Sequence, residues 1–555
     1  MKHRIRACLV VLVAAPLATG ARRATPPGDE SGLSARDSAY HALSRLAYGP
    51  RPGETERVAA AGVMRWIEQQ LSPDDIDDER LAERERESEI LRYDRGDLAR
   101  LYFEIQREQR ERKLAAGGAR DTVADKAGPT PLEQHGRRLE GQFAQLAVLR
   151  ATLSERQLYE VMVDFWTNHF NVFAAKGADR FLLPEYITRV IRRRAMGKFA
   201  DLLIATAESP AMLFYLDNWQ SVVPGAVPPA ATRLQARPLF GRGPFAPRLG
   251  NPLRPDSMRP RAPQGINENY ARELLELHTL RVDGGYTQQD VINVARIFTG
   301  WSIRRPQDGA DFEFHDWAHD YGEKIVLGIT FPAGHGRDEG IRLLKLLASH
   351  PATMHHVSRQ LCERLVNDEP PDGCVDDAVA AWKRTRGDIR AVLRAIVSSP
   401  DFWAARNIRA KVKTPLEFVV SAARAVGADP DTTPRLAQVV ARLGEPLYLH
   451  VAPDGYPERE AAWVNSGALL DRMNVAVALA AGKLPGATVE LDSIAPLPMD
   501  AEGLVAAANN TLLSGTMSAN TMTVIRAEVA TVRDPAAARA LAVGLAIGGP
   551  EFQRH

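Results

Sequence analysis

The chain has 555 residues, and its 70 lysines and arginines almost balance its 69 aspartates and glutamates. The formal net charge of +1 gives the surface as a whole no bias toward nucleic acid or an anionic membrane. Three cysteines in a chain of this length exclude a small scaffold held mainly by disulfides, and the length allows two or more cores.

Residues 1–21 have the pattern of a secretory signal peptide. Three basic residues precede an apolar run from Ala7 to about Leu17, and small residues follow. The run is too short for a permanent membrane anchor, and no later run reaches membrane length. We therefore expect an exported protein, periplasmic or extracellular and not integral to the membrane, with a flexible N-terminus over residues 22–36.

The pattern of residues 37–220 predicts a first helical lobe. Apolar residues recur at helical spacing over 37–71, where a Gly-Pro-Arg-Pro-Gly run separates two helices. Residues 77–112 are dense in Glu and Arg, which favours one long solvated helix. The S-x-x-Q spacing from Ser154 to Gln157 predicts a capping box at the start of a further helix.

A Pro/Arg-rich insertion over residues 221–264 interrupts the helical pattern. It holds ten prolines, seven arginines and a single acid, Asp256. Such a composition cannot bury enough apolar surface to order itself, so we expect a disordered segment. The alternative is that the arginines bind an anionic polymer, which would make a polyanion a partner.

Residues 265–555 predict a second helical lobe. Their one strand-like stretch leads us to expect at most a small β-hairpin near 311–327. The predicted fold is therefore mainly α, a multi-helix array of two lobes. Cys362 and Cys374 remain after signal removal and could pair in an oxidising compartment, although Cys362 lies in a predicted helix.

The stretch QLYEVMVDFWTNHFNVF, residues 157–173, predicts an unusually apolar helix. At about 100° per residue, one broad face is apolar and carries His169 at its centre. The opposite face carries the polar residues Glu160, Asp164, Thr167 and Asn171, with Asn168 at the boundary. The helix therefore turns an imidazole toward the protein interior.

A second helix, over residues 267–280, places His278 among leucines in the same way. Its other face carries Glu268, Arg272 and Glu276 at i, i+4, i+8 spacing, which favours an intrahelical ladder of salt bridges. Two histidines from different parts of the chain thus point inward. The ordinary alternative is that each is a core histidine that donates a ring N–H to a carbonyl.

The inward histidines support a hypothesis of metal or acid–base chemistry. Burial lowers the pKa of an imidazole and keeps it neutral, the form that binds metals or accepts a proton. The candidate catalytic residues are His169, Glu273 and His278. The candidate ligands for a divalent metal are His169, His278, His319 and Asp320, the last two from the HDWAHD segment, which a polar turn would also explain.

Several known frameworks are missing from the sequence. It holds no HExxH, CxxC, GxSxG or GxxxxGK[ST] motif. The stretches HALSRLAYGPRPGE, LYEVMVDFWTNHFNVF, SPAMLFYLDN, NENYARELLELHTLRVDGGYTQQDV, ARIFTGW, HDYGEKIVLG and GDIRAVLRAIVSSPDF, in this order, resemble the bacterial family of unknown function numbered 1800. The segment LGEPLYLHVAPDGYPEREAAWVNSGALLDRMN resembles the C-terminal block of that family. The resemblance extends over residues 37–555.

The resemblance implies an exported, largely helical protein with no established activity and no assigned catalytic residue. It also implies a partner, because members are frequently encoded beside another uncharacterised family, numbered 1501. This chain departs from the family pattern in two places. Its insertion is longer than usual, and Asp454-Gly455-Tyr456 stands where Gly-Trp is typical.

The favoured interpretation is a binding or assembly component of the bacterial cell envelope, without a role in nucleic-acid binding. The candidate binding residues are Asn168, Asn267, Glu268, Arg272, Tyr456 and Trp463. The alternative is a metal-assisted hydrolase that uses the core-facing histidines and nearby carboxylates.

Overall fold

A computed structural model describes residues 32–115, 128–227, 265–304 and 310–555. Within these ranges the chain forms 22 α-helices and three two-stranded sheets, which confirms the prediction of a mainly α fold. The predicted signal peptide lies outside the described residues, as do residues 22–31 and residues 228–264 of the insertion. In the described part of the chain, no helix is both long and apolar enough to cross a membrane.

Ten of the described helices precede the insertion. In chain order they are α1 (Ala35–Arg45), α2 (Glu54–Ala61), α3 (Val63–Gln70), α4 (Glu79–Glu87), α5 (Arg95–Ala115), α6 (Pro131–Leu153), α7 (Gln157–His169), α8 (Asp179–Glu185), α9 (Phe199–Ala207) and α10 (Pro210–Tyr215). A π-helical turn, Tyr186–Ile191, continues α8. This irregularity follows Pro184, which has no amide hydrogen to donate inside a regular helix.

Twelve of the described helices follow the insertion. They are α11 (Glu268–Glu276), α12 (Gln288–Ile297), α13 (Arg337–Ala348), α14 (Pro351–Leu365), α15 (Asp372–Thr385), α16 (Ile389–Ser398), α17 (Pro415–Ala425), α18 (Arg435–Arg442), α19 (Ser466–Ala480), α20 (Ala501–Leu513), α21 (Ala519–Ala530) and α22 (Pro535–Gly548). Local sequence fixes several of their starts. In α17, for example, Thr414 and Glu417 form a reciprocal capping box, with Pro415 in the first turn.

Two helix predictions are wrong in their details. The single helix expected over 77–112 is broken into α4, a 3-10 turn at Glu89–Arg92 and α5, because Ile90 turns into the core. The capping box expected at Ser154 does not form, since α7 begins after Arg156 and Ser154 ends α6. Instead of completing a capping box, the Gln157 side chain accepts a hydrogen bond from the Tyr48 amide and donates one to the Ala151 carbonyl, both at 3.0 Å.

The described sheets are small antiparallel pairs. β1 (Trp301–Ile303) pairs with β2 (Phe312–Phe314), and β3 (Lys324–Val326) pairs with β4 (Ile329–Phe331). A third pair joins β5 (Asp429–Pro430) to β6 (Ala487–Thr488). The strand character predicted near 311–327 is present as β2 and β3, but each pairs with a strand outside that range.

One cluster of buried apolar side chains runs through the described chain, from Ala42 in α1 to Phe552 after α22. Helices from both sides of the insertion pack together: α6 contacts α17 and α18, and α9 contacts α13. The division into two lobes at the insertion stays a prediction. The apolar core is continuous between the residues before and after the insertion. α7 contributes to this core through Phe165 and Trp166.

Candidate functional site

The polar face of α7 lines a small cavity that is partly open to solvent. Asp164 and Asn168 lie on its wall, and its volume is about 70 Å³. We name it the Asp164 cavity; its charged lining residues are Arg150, Glu160, Asp164, Arg192, Arg364, Glu445 and Glu458. This volume holds a few water molecules or the polar end of a ligand, well below the roughly 300–1,000 Å³ of a site for a whole small molecule.

Two of these arginines are balanced by carboxylates of their own. Arg192 donates from both terminal nitrogens to the two oxygens of Glu160, each at 2.7 Å. Arg150 donates to Glu85 at 2.6 Å. Bidentate and charge-assisted bonds of this kind fix both partners firmly, so neither pair carries surplus charge into the cavity.

The third arginine, Arg364 of α14, stands among three carboxylates. Its guanidinium lies 3.1 Å from Asp164, 3.0 Å from Glu417 and 2.9 Å from Glu458. Only 4% of the Arg364 side chain is exposed. Buried charges are tolerated when they are paired, and one cation cannot fully compensate three anions. Within salt-bridge distance the centre therefore has a local deficit of positive charge, while Arg45, Lys411 and Arg472 act on Glu417 or Glu445 from farther away.

The deficit appears in the pKa values of two carboxyl groups. Burial raises the pKa of Asp164 to about 7 against the opposing effect of Arg364, and Glu458 and Glu417 raise it further. Burial, together with Asp164, raises the pKa of Glu445 to about 8. Asp164 nevertheless keeps 29% of its side chain exposed, so it can exchange protons with solvent. Both groups are poised to gain or lose a proton near neutral pH.

Glu417 behaves differently because of its partners. Burial by itself would raise its pKa, but Arg364, His555 and the Thr414 amide stabilise the ionised form and lower the pKa to about 2. The Thr414 amide donates to this carboxylate at 2.8 Å as part of the capping box of α17. Glu417 is therefore a permanent anion, and the exchangeable protons reside on Asp164 and Glu445.

One wall of the cavity is the segment 445–458, which α7 fastens in place. The Asn168 side chain donates to the Tyr456 carbonyl at 2.7 Å and accepts from the Tyr456 amide at 2.6 Å. Asn171 donates to the carbonyls of His450 and Ala452. The Trp463 indole donates to the Pro457 carbonyl at 2.8 Å. Of the predicted binding residues, Asn168 and Tyr456 thus line the cavity, and Trp463 supports its wall.

The structure brings His169 and His278 together in the core. Their ring centroids are 6.2 Å apart, and His169 Nε2 lies 3.3 Å from the His278 carbonyl oxygen. Burial lowers the pKa of His278 to about 3, and burial with the neighbouring His278 lowers that of His169. Both rings are therefore neutral, as expected from their inward faces. Nε2 of His278 is buried and has no hydrogen-bond partner among the described residues.

Among the described residues, no carboxylate is arranged with these two rings as a metal site. Glu273 is half-buried, and its pKa is raised by burial and by Glu276 and Asp454. Within the described ranges, no group of three or more His, Cys, Asp or Glu side chains is arranged to hold a metal ion. The assignment of catalytic or ligand roles to His169, Glu273 and His278 stays a prediction.

His319 and Asp320 are held by other contacts. His319 Nδ1 lies 2.8 Å from the Thr299 carbonyl oxygen, and its Nε2 lies 3.0 Å from that of His335. Glu339 also lies 3.4 Å from Nε2, so each ring nitrogen has polar partners of its own. Asp320 accepts two bonds from Arg296, at 2.7 and 3.2 Å. These contacts hold the loop after β2, and the role of His319 and Asp320 as metal ligands stays a prediction.

The remaining predicted binding residues connect α11 to its neighbours. Asn267 caps α11 by accepting from the Asn269 amide at 2.8 Å, and it donates to the Leu216 carbonyl at 2.9 Å. Arg272 lies 3.7 Å from Glu268, the first step of the expected ladder. Gln288 of α12 bonds to both of these side chains. These contacts hold α11 against its neighbours, and a binding role for Asn267, Glu268 and Arg272 stays a prediction.

Most of the charged centre was not predicted from the sequence. The helical pattern placed Asp164 on the polar face of α7 without a role, and the candidate residues did not include Arg364, Glu417, Glu445 or Glu458. One feature of the sequence did indicate a polar site: four polar side chains share one face of an otherwise apolar helix, and such side chains need polar surroundings. The residues that form those surroundings could not be predicted, since they lie far from α7 in the sequence.

Comparison with known proteins returned one match. The profile of a family described as "Protein of unknown function (DUF1800)" matches residues 41–554. No curated protein and no solved structure matches the chain.

Proposed function

The chain belongs to the DUF1800 family, whose function is unknown. From this premise we propose that it is an exported binding component of the bacterial cell envelope. In this proposal the Asp164 cavity holds a cationic group of the ligand. The family assignment gives no activity, so the proposal depends on the residues of this cavity. The binding role follows the interpretation favoured from the sequence.

The observation that carries the proposal is the charge deficit around Arg364. Its single guanidinium serves the carboxylates of Asp164, Glu417 and Glu458. Glu445 adds a fourth acid, whose carboxyl accepts from the Leu416 amide. At neutral pH, protons on Asp164 and Glu445 can relieve the deficit. A ligand cation placed between them would replace those protons and restore the pairing that buried charges require.

The cavity also restricts the size of the bound group. About 70 Å³ accommodates an ammonium or amidinium head but not an entire ligand. The remainder of the ligand would lie outside, along the exposed surface of the segment 445–458. An amine at the end of an envelope polymer or a small diamine has this chemistry.

The cellular setting is part of the same proposal. The amino-terminal sequence pattern supports export, and the family resemblance supports an envelope role beside a protein of the family numbered 1501. Binding of a polyanion by the arginine-rich insertion stays a separate prediction, because residues 228–264 lie outside the described part of the chain. Deletion of that segment should abolish salt-sensitive retention on a polyanion column if the prediction holds.

The test is a calorimetric titration of the mature protein with acetamidinium, using the uncharged isostere acetamide as the ligand control. We expect acetamidinium to bind and its affinity to rise from pH 6 to pH 9, because Asp164 and Glu445 must lose protons to receive it. Each proton released contributes up to about tenfold per pH unit. Asp164→Asn should weaken binding at least about tenfold, from the loss of a charge-assisted contact.

The matched control variant is Asp201→Asn, which alters an exposed aspartate on α9. Its affinity should equal that of the wild type. Equal affinity for acetamide and acetamidinium, or an affinity that falls as pH rises, would overturn the proposal.

A second candidate function is acid–base catalysis in the same cavity. It is favoured by the burial of Asp164 near Glu417 and Glu458, which raises the pKa of this carboxyl to about 7, a value suited to proton transfer at neutral pH. The metal-assisted hydrolase predicted from the sequence remains a further alternative, and no comparable observation favours it. Its candidate residues are His169, Glu273, His278, His319 and Asp320. Metal analysis decides it: a stoichiometric transition metal that is lost in a His169→Ala/His278→Ala variant would favour it.

A further inference from the structure

A second, larger cavity lies on the other side of the segment 447–449. Its volume is about 410 Å³, and it is enclosed by α5, α6, α8 and this segment. Leu447 and Tyr448 line both this cavity and the Asp164 cavity, so they form a shared wall. The volume falls within the roughly 300–1,000 Å³ typical of sites for small molecules. We name it the apolar cavity.

The walls of this cavity are apolar. Leu98, Leu139, Phe143, Phe181 and Leu183 are all buried members of the core and line it. An apolar space of this size offers water too few hydrogen-bond partners to hold it in ordered positions. Its natural complement is an apolar group, for which removal from water is favourable.

The rim of the cavity carries charge. Arg180 donates to both oxygens of Glu140, at 3.1 and 3.3 Å, so these two residues neutralise each other. Arg137 also lines the cavity, is exposed, and has no ion-pair partner among the described residues. The mouth therefore has, beside an apolar interior, one positive charge that forms no salt bridge within 4 Å among the described residues; Glu133, one turn earlier on α6, interacts with it from farther away. This arrangement is complementary to a molecule with an alkyl tail and an anionic head.

We propose that the apolar cavity binds a single-chain alkyl carboxylate, such as a fatty acid, with the tail on the apolar wall and the carboxylate at Arg137. This site is separate from the Asp164 cavity, and its ligand has the opposite charge. The proposal therefore does not depend on the proposed function.

The tail position is tested by filling the cavity. Ala144 of α6 lines it and is partly buried, so Ala144→Phe places a ring in the space that the tail occupies. We expect decanoate to bind the wild-type protein saturably, as measured by calorimetry, and to bind Ala144→Phe at least about tenfold more weakly. The control is Ala536→Phe at an exposed position of α22, with unchanged affinity. Unfolding midpoints of both variants establish that they are folded.

The head position is tested with ligands that share one tail. Decanoate should bind more tightly than decanol, and decyltrimethylammonium should bind most weakly. Arg137→Gln should reduce decanoate affinity up to about fivefold, the effect of one exposed ion pair, and leave decanol unchanged. The control is Arg138→Gln, because Arg138 pairs with Glu89 and does not line the cavity.

Any one of three results would overturn this proposal. The first is that decanoate does not bind saturably, and the second is that it binds wild type and a folded Ala144→Phe variant equally. The third is that decyltrimethylammonium binds more tightly than decanoate. Asp164→Asn separates this site from the proposed function, since it should leave decanoate affinity unchanged whatever it does to acetamidinium.

Discussion

At the scale of single residues, two carboxyl groups in and beside the Asp164 cavity have opposite protonation states: Glu445 lines the cavity, and Glu417 pairs with its lining residue Arg364. Glu417 receives a guanidinium and a backbone amide, and its pKa falls to about 2. Glu445 is equally buried, but no described cation lies within 4 Å of its carboxyl, and burial together with Asp164 raises its pKa to about 8. Local partners, not residue type, decide which acid is charged.

The raised pKa of Glu445 makes stability depend on pH. The folded protein holds a proton on Glu445 that the unfolded chain releases above its ordinary pKa of 4.5. This contribution is fully present below pH 4.5 and is lost as pH rises to about 8. We expect Glu445→Gln, which needs no proton, to gain stability relative to wild type over this interval, on the order of a few kcal/mol.

The measurement is the denaturant midpoint of wild type and Glu445→Gln at pH 5.0 and pH 8.5. The control is Glu528→Gln at an exposed site on α21, which should follow the wild type at both values. A difference between Glu445→Gln and wild type that is the same at pH 5.0 and pH 8.5 would contradict the proposed protonation of Glu445.

At the scale of secondary-structure elements, the site depends on how α7 meets the segment 445–458. Gly455 adopts φ +72°, the left-handed region, directly against the C-terminal end of α7. A Cβ atom at Gly455 would lie 2.4 Å from the Asn168 carbonyl oxygen. The close approach lets Asn168 bond to both backbone groups of Tyr456. A helix and an irregular segment thus form one rigid wall.

This contact can be tested with two glycine substitutions of matched conformation. Gly427 has φ +61°, but a Cβ there would meet open space. We expect Gly427→Ala to destabilise the protein by about 1 kcal/mol, the cost of a left-handed φ. Gly455→Ala should cost more and accelerate hydrogen exchange at the Tyr456 amide, because the wall must move away from α7. Equal effects of the two substitutions on stability and exchange would refute the role of the close approach.

At the scale of the whole molecule, buried charges tie distant parts of the chain together. Arg424 of α17 is almost completely buried. It donates to the Gly49 carbonyl at 2.8 Å, to the Thr152 carbonyl at 3.1 Å and to Glu54 at 3.1 Å. The apolar core likewise continues across the predicted lobe boundary. These connections favour cooperative unfolding of both predicted lobes.

We therefore expect Arg424→Met to lower the free energy of unfolding by about 3–5 kcal/mol, because it leaves Glu54 buried without its cation. Arg394→Met is the matched control, since it breaks the pair between Arg394 and Glu68, in which both side chains are 48% exposed. That loss should be at most about 1 kcal/mol. Denaturant unfolding followed by tryptophan fluorescence and circular dichroism gives both values. Two separate transitions in the wild type would show that the lobes unfold independently.

The sequence by itself determined the helical fold, the family and the inward faces of α7 and α11. Helical periodicity is a local property, and it correctly placed His169 of α7 in the interior. His278 is also buried, but it lies in the turn after α11, because the helix predicted over 267–280 ends at Glu276. Asn168 and Tyr456 were also among the predicted binding residues. The charged centre was not predictable in this way, because periodicity groups residues on a face without revealing what covers it.

Only the tertiary structure decided that the polar face of α7 is covered. Arg364 is 200 residues from Asp164, and Tyr456 is 288 residues from Asn168. Folding brings them together, removes the carboxyls from water and changes their pKa values. Protonation of a buried acid depends on the summed field and solvation of all its neighbours, and these exist only once the chain has folded.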